Sequence, residues 1–237
     1  MAPTPLEMLQ TRIEEVASRE CSGLVGFADL SHLKGIQIGD PTVFEFPSAV
    51  SYAVEIPKDT IPMSRTGPSA KLHRGYLANN ERVLAIGDKI VAMLTEAGYN
   101  ARFVNRTQNV DQKHLIGPIS QKAIAAQAGL GWIGRNGLFM TDINGARQRL
   151  GAVLTDMPVL KNAPLIDSKC GECTICIDNC PMKALKGARF QHHPGSRDLV
   201  IDWVKCGENE DKLLDDRHPK VCGNCISTCP FSFPGER

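Results

Sequence analysis

Eight of the nine cysteines of this chain lie after residue 169 and recur at regular intervals. The first group follows the pattern C-x2-C-x2-C-x3-C-P and consists of Cys170, Cys173, Cys176 and Cys180. The second group ends in the same C-x3-C-P sequence, with its first member displaced upstream, and consists of Cys206, Cys222, Cys225 and Cys229. A 4Fe-4S cube needs thiolates at its corners, and a loop with a thiol at every third residue can surround it. The spacing therefore predicts two 4Fe-4S clusters.

The prolines that follow each motif indicate which cysteines share a cluster. Pro181 and Pro230 suit the first position of a helix, where the missing N–H costs nothing. Cys180 and Cys229 therefore lie where the chain leaves its loop, and each can reach the neighbouring cube. We assign one cluster to a first set (Cys170, Cys173, Cys176 and Cys229) and the other to a second set (Cys180, Cys206, Cys222 and Cys225).

Zinc and disulfides are the alternatives for these cysteines. Structural zinc takes paired C-x2-C sequences, but it has no use for a third cysteine at the same spacing or for the C-x3-C-P ending. Disulfides need an oxidising compartment, and the N-terminus has no apolar signal core. Cys21 lies outside both sets and is predicted to be a buried, small apolar residue rather than a reactive thiol.

The composition is that of an ordinary soluble globular chain. Its 237 residues are 42% hydrophobic and 22% charged, which suits one large domain or two unequal domains. The net charge of +1 gives no general electrostatic reason to bind nucleic acid. No apolar run reaches the length of a membrane span, so we expect no membrane partner and a cytoplasmic location.

Hydrophobic periodicity predicts several helices and strands before the cysteine-rich region. The predicted helices cover residues 5–20, 76–97 and 118–128, and the predicted strands cover 23–28, 48–56 and 101–105. Residues 57–75 are rich in Pro, Gly and Ser and are predicted to be irregular. Two further strands, 137–141 and 149–155, are predicted to form a hairpin whose turn lies at Asn144 and Gly145.

The segment Gly129-Leu-Gly-Trp-Ile-Gly134 matches the G-x-G-x-x-G fingerprint of dinucleotide-binding proteins, and Asp156 follows at a suitable distance. That fingerprint follows a strand and opens a helix, whereas this segment follows a predicted helix and precedes a predicted hairpin. Gly129 is therefore predicted to cap the helix in a left-handed conformation. The context disfavours a nicotinamide cofactor.

The same segment carries a resemblance to a known family. Residues 123–138 (AIAAQAGLGWIGRNGL), the Leu-Thr-Asp-Met-Pro sequence ending at Pro158 and the two cysteine groups together resemble the epoxyqueuosine reductases and, more distantly, the reductive dehalogenases. The likeness extends over about residues 20–232. It implies an α+β fold, in which a nitroreductase-like antiparallel-sheet domain (1–160) is joined to a ferredoxin-like double 4Fe-4S domain (161–237). It also implies that electrons pass through the clusters to a cobalamin held base-off.

The glycine-rich segment would supply the contacts to the corrinoid. By the resemblance, these residues are Gly129, Leu130, Gly131, Trp132, Gly134, Arg135 and Asn136. The glycines would let the backbone approach a large flat macrocycle closely, and Trp132 would pack on it. The alternative is that the glycines only cap a helix and turn the chain.

The proton donor of the family has no direct counterpart in this chain. The resemblance places the family's aspartate at Leu115, which cannot donate a proton. Asp111, His114 and Tyr76 are the candidate catalytic residues that could replace it. Residues 111–117 are also similar, with one residue too many, to the Asp-x-His-x-x-Gly sequence of proteins that ligate cobalt through histidine.

The expected partners follow from the redox chemistry. An electron donor of the low-potential ferredoxin or flavodoxin type is implied, and a corrinoid protein is a further candidate. Transfer RNA is not expected, because the chain stops where the family continues into a tRNA-binding helical-repeat domain and because acidic residues fall between the second-set cysteines. These acidic residues, a solvated face or a docking patch, are Glu208, Glu210, Asp211, Asp215 and Asp216.

Three functions fit these observations. The first is a cobalamin-dependent reductase with a substrate that the sequence does not name. The second is an electron-transfer protein that reduces a corrinoid on a partner protein, and the third is a ferredoxin-like carrier without a corrinoid.

Overall fold

The computed structural model describes residues 2–21, 23–33, 35–61, 70–104, 116–211 and 222–233. The chain forms two compact units, each assembled from three stretches of sequence. The sheet unit contains residues 1–54, 81–130 and 150–166, and the cysteine unit contains residues 55–80, 131–149 and 167–237. The domain boundary at residue 160 stays a prediction.

The helices of the described residues are α1 (Pro5–Cys21), α2 (Ala70–Glu96), α3 (Gln121–Gln127), α4 (Ile175–Asp178), α5 (Trp203–Asp211) and α6 (Asn224–Ser227). The strands are β1 (Val25–Asp29), β2 (Ser48–Glu55), β3 (Ala101–Phe103), β4 (Trp132–Ile133), β5 (Phe139–Met140) and β6 (Gln148–Thr155). None of these helices is both long enough and apolar enough to cross a membrane.

Four strands form one sheet in the order β1-β2-β6-β3. The pairs β1–β2 and β3–β6 are antiparallel. At one end of the central pair, the N–H of Ile56 donates to the carbonyl of Arg147, and at the other end Ser48 Oγ donates to the carbonyl of Thr155. β2 and β6 are therefore antiparallel as well. The predicted α+β class with an antiparallel sheet is confirmed.

One face of this sheet packs against α1 and α2. Large side chains alternate along the central strands at the period of two expected for a strand, and those on this face include Val50, Tyr52 and Val54 of β2. Residues of α1 at a spacing of four (Ile13, Ala17 and Cys21) complete the layer together with residues of α2. Cys21 is fully buried, and its desolvation raises the pKa of its thiol to about 11, which confirms its prediction as a small core residue.

The opposite face packs against the short helix α3. The strand residues on this side include Leu154 but also three alanines, Ala28, Ala49 and Ala152, beside which the helix lies close to the sheet. A Cβ on Gly26 of β1 would lie only 2.8 Å from the carbonyl oxygen of Ala128. The sheet is thus a central layer between helices, and its two faces differ in side-chain size.

Two predicted helices begin at different residues from those that the sequence indicates. α2 begins at Ala70 rather than at Tyr76, so residues 70–75 of the stretch predicted to be irregular are helical. A Cβ on Gly75 would lie 3.3 Å from Thr60 Oγ1. A glycine allows this approach. α3 begins after Ser120, whose hydroxyl accepts a hydrogen bond from the N–H of Ala123, and Pro118 precedes the helix rather than opening it.

The predicted hairpin of residues 137–141 and 149–155 is wrong. β5 pairs with β4, and β6 joins the four-stranded sheet. The turn at Asn144 and Gly145 does form, but reciprocal backbone hydrogen bonds between Thr141 and Gly145 close it after three intervening residues. The chain then turns again at Ala146 before β6 begins, so the two strands part.

The ring of Tyr52 lies between two glycines. A Cβ on Gly151 would be 2.2 Å from the Tyr52 ring, and a Cβ on Gly87 would be 2.8 Å from its hydroxyl. The hydroxyl donates a 2.5 Å hydrogen bond to the carbonyl of Val83. The ring is fully buried and cannot move aside without breaking this bond.

We therefore expect Gly151→Ala to lower the free energy of unfolding by about 1–3 kcal/mol or more, because it overpacks the core around Tyr52. Chemical denaturation monitored by circular dichroism measures the change. Gly207→Ala in α5 is the control, because a Cβ there meets no atom within 4 Å and alanine favours a helix by up to about 1 kcal/mol. A Gly151→Ala protein as stable as the parent would show that the contact with Tyr52 is not tight.

Candidate metal centre

The first set of cysteines lines one cavity of the cysteine unit. The cavity is bordered by Cys170, Cys173, Cys176 and Cys229 together with Arg135, Asn136, Met140, Pro230 and Phe231. Among the described residues, no three Cys, His, Asp or Glu side chains are close enough to share a single metal ion. The ligands of a cube do not have to be, because each binds a different iron atom. The arrangement fits a 4Fe-4S cluster.

The electrostatic environment of two buried thiols groups the cysteines in the same way. Burial first, and then the nearby thiols of Cys229, Cys170 and Cys173, together raise the pKa of Cys176 to about 11. Burial also raises the pKa of Cys225, followed by the influence of a second group of thiols: Cys206, Cys222, Cys176 and Cys180. Cys176 contributes to both environments, so the two sets are neighbours.

Burial makes a free thiolate unfavourable at these cysteines, because its charge has little solvent around it and no bound cation. The ligand to iron is the thiolate, and a raised pKa means that the empty site holds its protons at neutral pH. Burial raises the pKa of Cys229 as well, although N–H groups of Phe231 and Ser232 oppose the shift by hydrogen bonding to its sulfur. Iron binding therefore has to release protons from this site.

A tight turn positions the first two cysteines. The N–H of Cys173 donates to the carbonyl of Cys170 at 3.0 Å, and Gly171 between them adopts a left-handed conformation with φ of 51°. α4 follows immediately and carries Cys176 in its first turn. Loop and helix together place three thiols along one short stretch.

The second C-x3-C-P sequence repeats this local structure. α6 carries Cys225, and Pro230 opens a single 3₁₀ turn, Pro230–Ser232, as predicted for a helical N1 position. Pro181 does not open a helix. It lies in a turn that the N–H of Lys183 closes on the carbonyl of Cys180, so this part of the prediction is wrong. α4 and α6 pack against each other.

The glycines of the 129–134 segment permit close approaches within the protein. Gly129 has φ of 70° at the end of α3, which confirms the predicted left-handed cap. A Cβ on Gly131 would lie 1.9 Å from the carbonyl oxygen of Met140, and a Cβ on Gly134 would lie 2.8 Å from Asn136 Oδ1. The chain around the paired strands β4 and β5 therefore leaves little room for a side chain at either position.

Trp132 contacts residues at both ends of the first set. Its ring meets Phe231 edge to face, with centroids 5.5 Å apart, and Lys169 Nζ lies 5.3 Å from its centroid. Lys169 directly precedes Cys170, and Phe231 follows the Cys229-Pro230 pair. The tryptophan is 1% exposed, so in this structure its faces are covered by the chain itself.

Arg135 and Asn136 each bind a loop that carries cysteines. Arg135 Nη1 donates to the carbonyl of Cys173 at 3.0 Å. Asn136 Nδ2 donates to the carbonyl of Cys225 at 3.2 Å, and its Oδ1 accepts from the N–H of Leu138. Two adjacent residues thus contact the first and the second set, respectively.

A further contact joins the Gly145 turn to the chain after Cys229. Gly145 has φ of 56°, and a Cβ there would lie 2.0 Å from the carbonyl oxygen of Phe231. Arg147 is 4% exposed; its Nε donates to the carbonyl of Ser232, and its Nη1 donates to Glu55 Oε1 and to the carbonyl of Ile56, both at 2.8 Å. Sequence reasoning missed Arg147, Lys169 and Phe231. The signal for the last two was their position beside the cysteine motifs.

The candidate catalytic residues are only partly placed. Asp111 and His114 lie outside the described residues, as does Leu115. Tyr76 is half-buried in α2, where the guanidinium of Arg149 lies 4.4 Å from its ring centroid. The catalytic role of all three candidates stays a prediction. Glu208 of the acidic run is exposed.

Comparison with protein families agrees with the cysteine pattern. Residues 169–232 match the family described as a 4Fe-4S double cluster binding domain. The prediction of two 4Fe-4S clusters in this part of the chain is confirmed.

Curated relatives carry the name epoxyqueuosine reductase. The protein of Staphylococcus aureus (strain NCTC 8325 / PS 47) is 41% identical over 85 residues, which are 35% of this chain and 22% of that protein. The protein of Aliivibrio fischeri (strain ATCC 700601 / ES114) is 33% identical over 152 residues, 64% of this chain and 38% of that protein. The chain therefore spans less than half the length of these relatives.

Solved structures show the same fold. An epoxyqueuosine reductase with a tRNA-Tyr epoxyqueuosine-modified stem loop has a TM-score of 0.61 at 20% identity, over 96% of this chain and 66% of that chain. A reductive dehalogenase described for B12-dependent dehalogenation has a TM-score of 0.69 at 18% identity, over 89% of this chain and 30% of that chain. The resemblance to both groups of proteins is confirmed.

We expect Gly145→Ala to reduce the iron content of the protein, because the added methyl group collides with the backbone that follows Cys229. Iron and the visible absorbance of the anaerobically purified protein measure the loss. Gly98→Ala is the matched control: its φ is also positive, a Cβ there meets no atom within 4 Å, and it lies in the sheet unit, so only about 1–2 kcal/mol of backbone strain is expected. Equal iron contents in the two variants would contradict the role given to the Gly145 contact.

Proposed function

We propose that this protein is an iron-sulfur reductase that passes single electrons through two 4Fe-4S clusters to a cobalamin, for reductive chemistry on a substrate still to be identified. The observation that carries the electron-transfer part is the proximity of the two cysteine sets, since Cys176 influences the pKa of Cys225 across them. Clusters held by neighbouring ligands can exchange an electron without large movement of the protein.

The described thiols fit two clusters. The first set would hold one cluster in the cavity between α4 and the Pro230 turn, and the second set would hold the other. The clusters supply one-electron chemistry at potentials that hydrogen bonds and exposure adjust. The N–H of Ala184 donates to Cys180 Sγ at 3.3 Å, which is one such bond. A ferredoxin or flavodoxin of low potential is the proposed donor.

Likeness to the B12-dependent dehalogenase supports cobalamin as the acceptor. We also propose that the sheet unit is nitroreductase-like. The glycine-rich segment stays the proposed corrinoid contact, although Trp132 is buried and atoms of the chain lie close to the Cβ positions of Gly131 and Gly134. Arg135 and Asn136 also support the cysteine loops, through their bonds to the carbonyls of Cys173 and Cys225.

The second candidate is an electron carrier that reduces a corrinoid on a partner protein. The closed packing of the glycine-rich segment and the exposed carboxylate of Glu208 favour it. An assay with epoxyqueuosine-containing tRNA, a reduced donor and cobalamin separates the candidates. Turnover to queuosine supports a reductase that acts on tRNA, whereas reduction of a protein-bound corrinoid without turnover supports the carrier.

The anaerobically reconstituted protein should contain about eight iron atoms and about eight acid-labile sulfides per chain. Cys206→Ala should halve both values, because this residue belongs to the second set alone. Cys21→Ala is the matched control and should leave both values unchanged, since Cys21 is buried in the sheet unit. Stoichiometric zinc without sulfide would exclude the two-cluster assignment.

The reconstituted protein should bind cobalamin base-off and without histidine ligation. A titration followed by absorbance and electron paramagnetic resonance (EPR) spectra measures both properties. His114→Ala should leave the spectrum unchanged. Loss of a histidine-ligated spectrum in that variant would instead assign His114 as a cobalt ligand, and no binding at all would favour the carrier function.

A further inference from the structure

Arg135 borders the cavity of the first set, and its guanidinium is fixed there. Nη1 donates to the carbonyl of Cys173 at 3.0 Å, and Nη2 donates to the carbonyl of Gly187 at 3.1 Å. The Nε atom is buried and has no hydrogen-bond partner among the described protein atoms. The two carbonyl bonds hold the planar group in place, and the buried Nε–H stays available to a group inside the cavity.

We infer that Arg135 Nε donates a hydrogen bond to a sulfur of the cluster in the first set and that its charge raises the reduction potential of that cluster. The inference rests on the proposed function, since it requires the cluster. A cube with four thiolates is anionic, and reduction makes it more so. A nearby cation and a charge-assisted N–H bond therefore stabilise the reduced form more than the oxidised form.

The redox step itself is simple. One electron from the donor enters the cluster, an iron atom is reduced from the ferric towards the ferrous state, and no covalent bond forms or breaks. Arg135 keeps its proton throughout, because a guanidinium is not deprotonated in proteins. Its role is to place a positive charge beside the first cluster, and it transfers no proton.

The neighbouring side chain at this cavity is neutral. Asn136, the next residue, donates to the carbonyl of Cys225 at 3.2 Å, and its Oδ1 is occupied by the N–H of Leu138. Of the two adjacent residues that contact the cysteine loops, only Arg135 is charged. Arg135 is thus the charged residue that this segment contributes to the cavity of the first set.

An EPR-monitored redox titration of the cluster-loaded protein tests this inference. In Arg135→Gln, the equilibrium constant for one-electron reduction of the first cluster should fall at least tenfold, which corresponds to about 59 mV. The potential of the second cluster should stay within twofold of the parent. Cys206→Ala, in which the first cluster is observed alone, identifies its signal.

Arg189→Gln is the matched control. Arg189 is exposed and pairs with Glu172 in the loop between Cys170 and Cys173, so this variant removes the same charge from the same neighbourhood. Solvent screens an exposed charge, and the equilibrium constant should change by less than about twofold. A change in Arg135→Gln no larger than in Arg189→Gln overturns the inference.

A second measurement covers the case in which Arg135→Gln does not assemble the first cluster. The parent protein labelled with ¹⁵N-arginine is reduced, and pulsed EPR detects any ¹⁵N nucleus coupled to the first cluster. A coupling supports the hydrogen bond, and its absence overturns it. The two proposals fail separately: a parent without sulfide contradicts the proposed function, whereas a parent with both clusters and no effect of Arg135 contradicts only this inference.

Discussion

The backbone of Gly145 lies so close to that of Phe231 that no side chain fits between them. This approach brings a turn in the middle of the chain against the residues that follow Cys229. The buried guanidinium of Arg147 reinforces it by binding the next carbonyl, that of Ser232. Trp132 extends the same interface to Lys169, which precedes Cys170. The segment from Trp132 to Arg147 therefore contacts the neighbours of two cysteines that are far apart in sequence, Cys170 and Cys229.

The positions of the cysteines could be predicted because their spacing is local. A turn between Cys170 and Cys173 and a helix after Thr174 follow from residues that are adjacent in sequence. The placement of Cys229 beside the first three cysteines could also be predicted, because Pro230 opens a turn after it, whereas Pro181 opens no helix after Cys180. What the spacing could not show is the support of these loops by Trp132 and Arg147, since that support comes from a distant part of the chain.

The errors share a physical cause, namely contacts between residues distant in sequence. Residues 57–75 are predicted to be irregular from their composition, yet α2 begins at Ala70 and passes close to Thr60 at Gly75. The strand over 137–141 reads as half of a hairpin with β6, yet β5 pairs backwards with β4. The pattern at Gly131 likewise does not show its close approach to the carbonyl of Met140. The residue pattern of one helix or strand does not show which other helix or strand it packs against.

The cavity of the first set has a consequence for the synthesis of the protein. It contains Cys170, Cys173 and Cys176 from one stretch of chain and Cys229 from a much later one. A nascent chain that has released only the earlier cysteines presents three thiols and an open corner. The cell's cluster-assembly machinery can therefore complete this site only after residue 229 has been synthesised and has folded back. The complete four-thiolate site therefore exists only in a chain whose later segment is already in place.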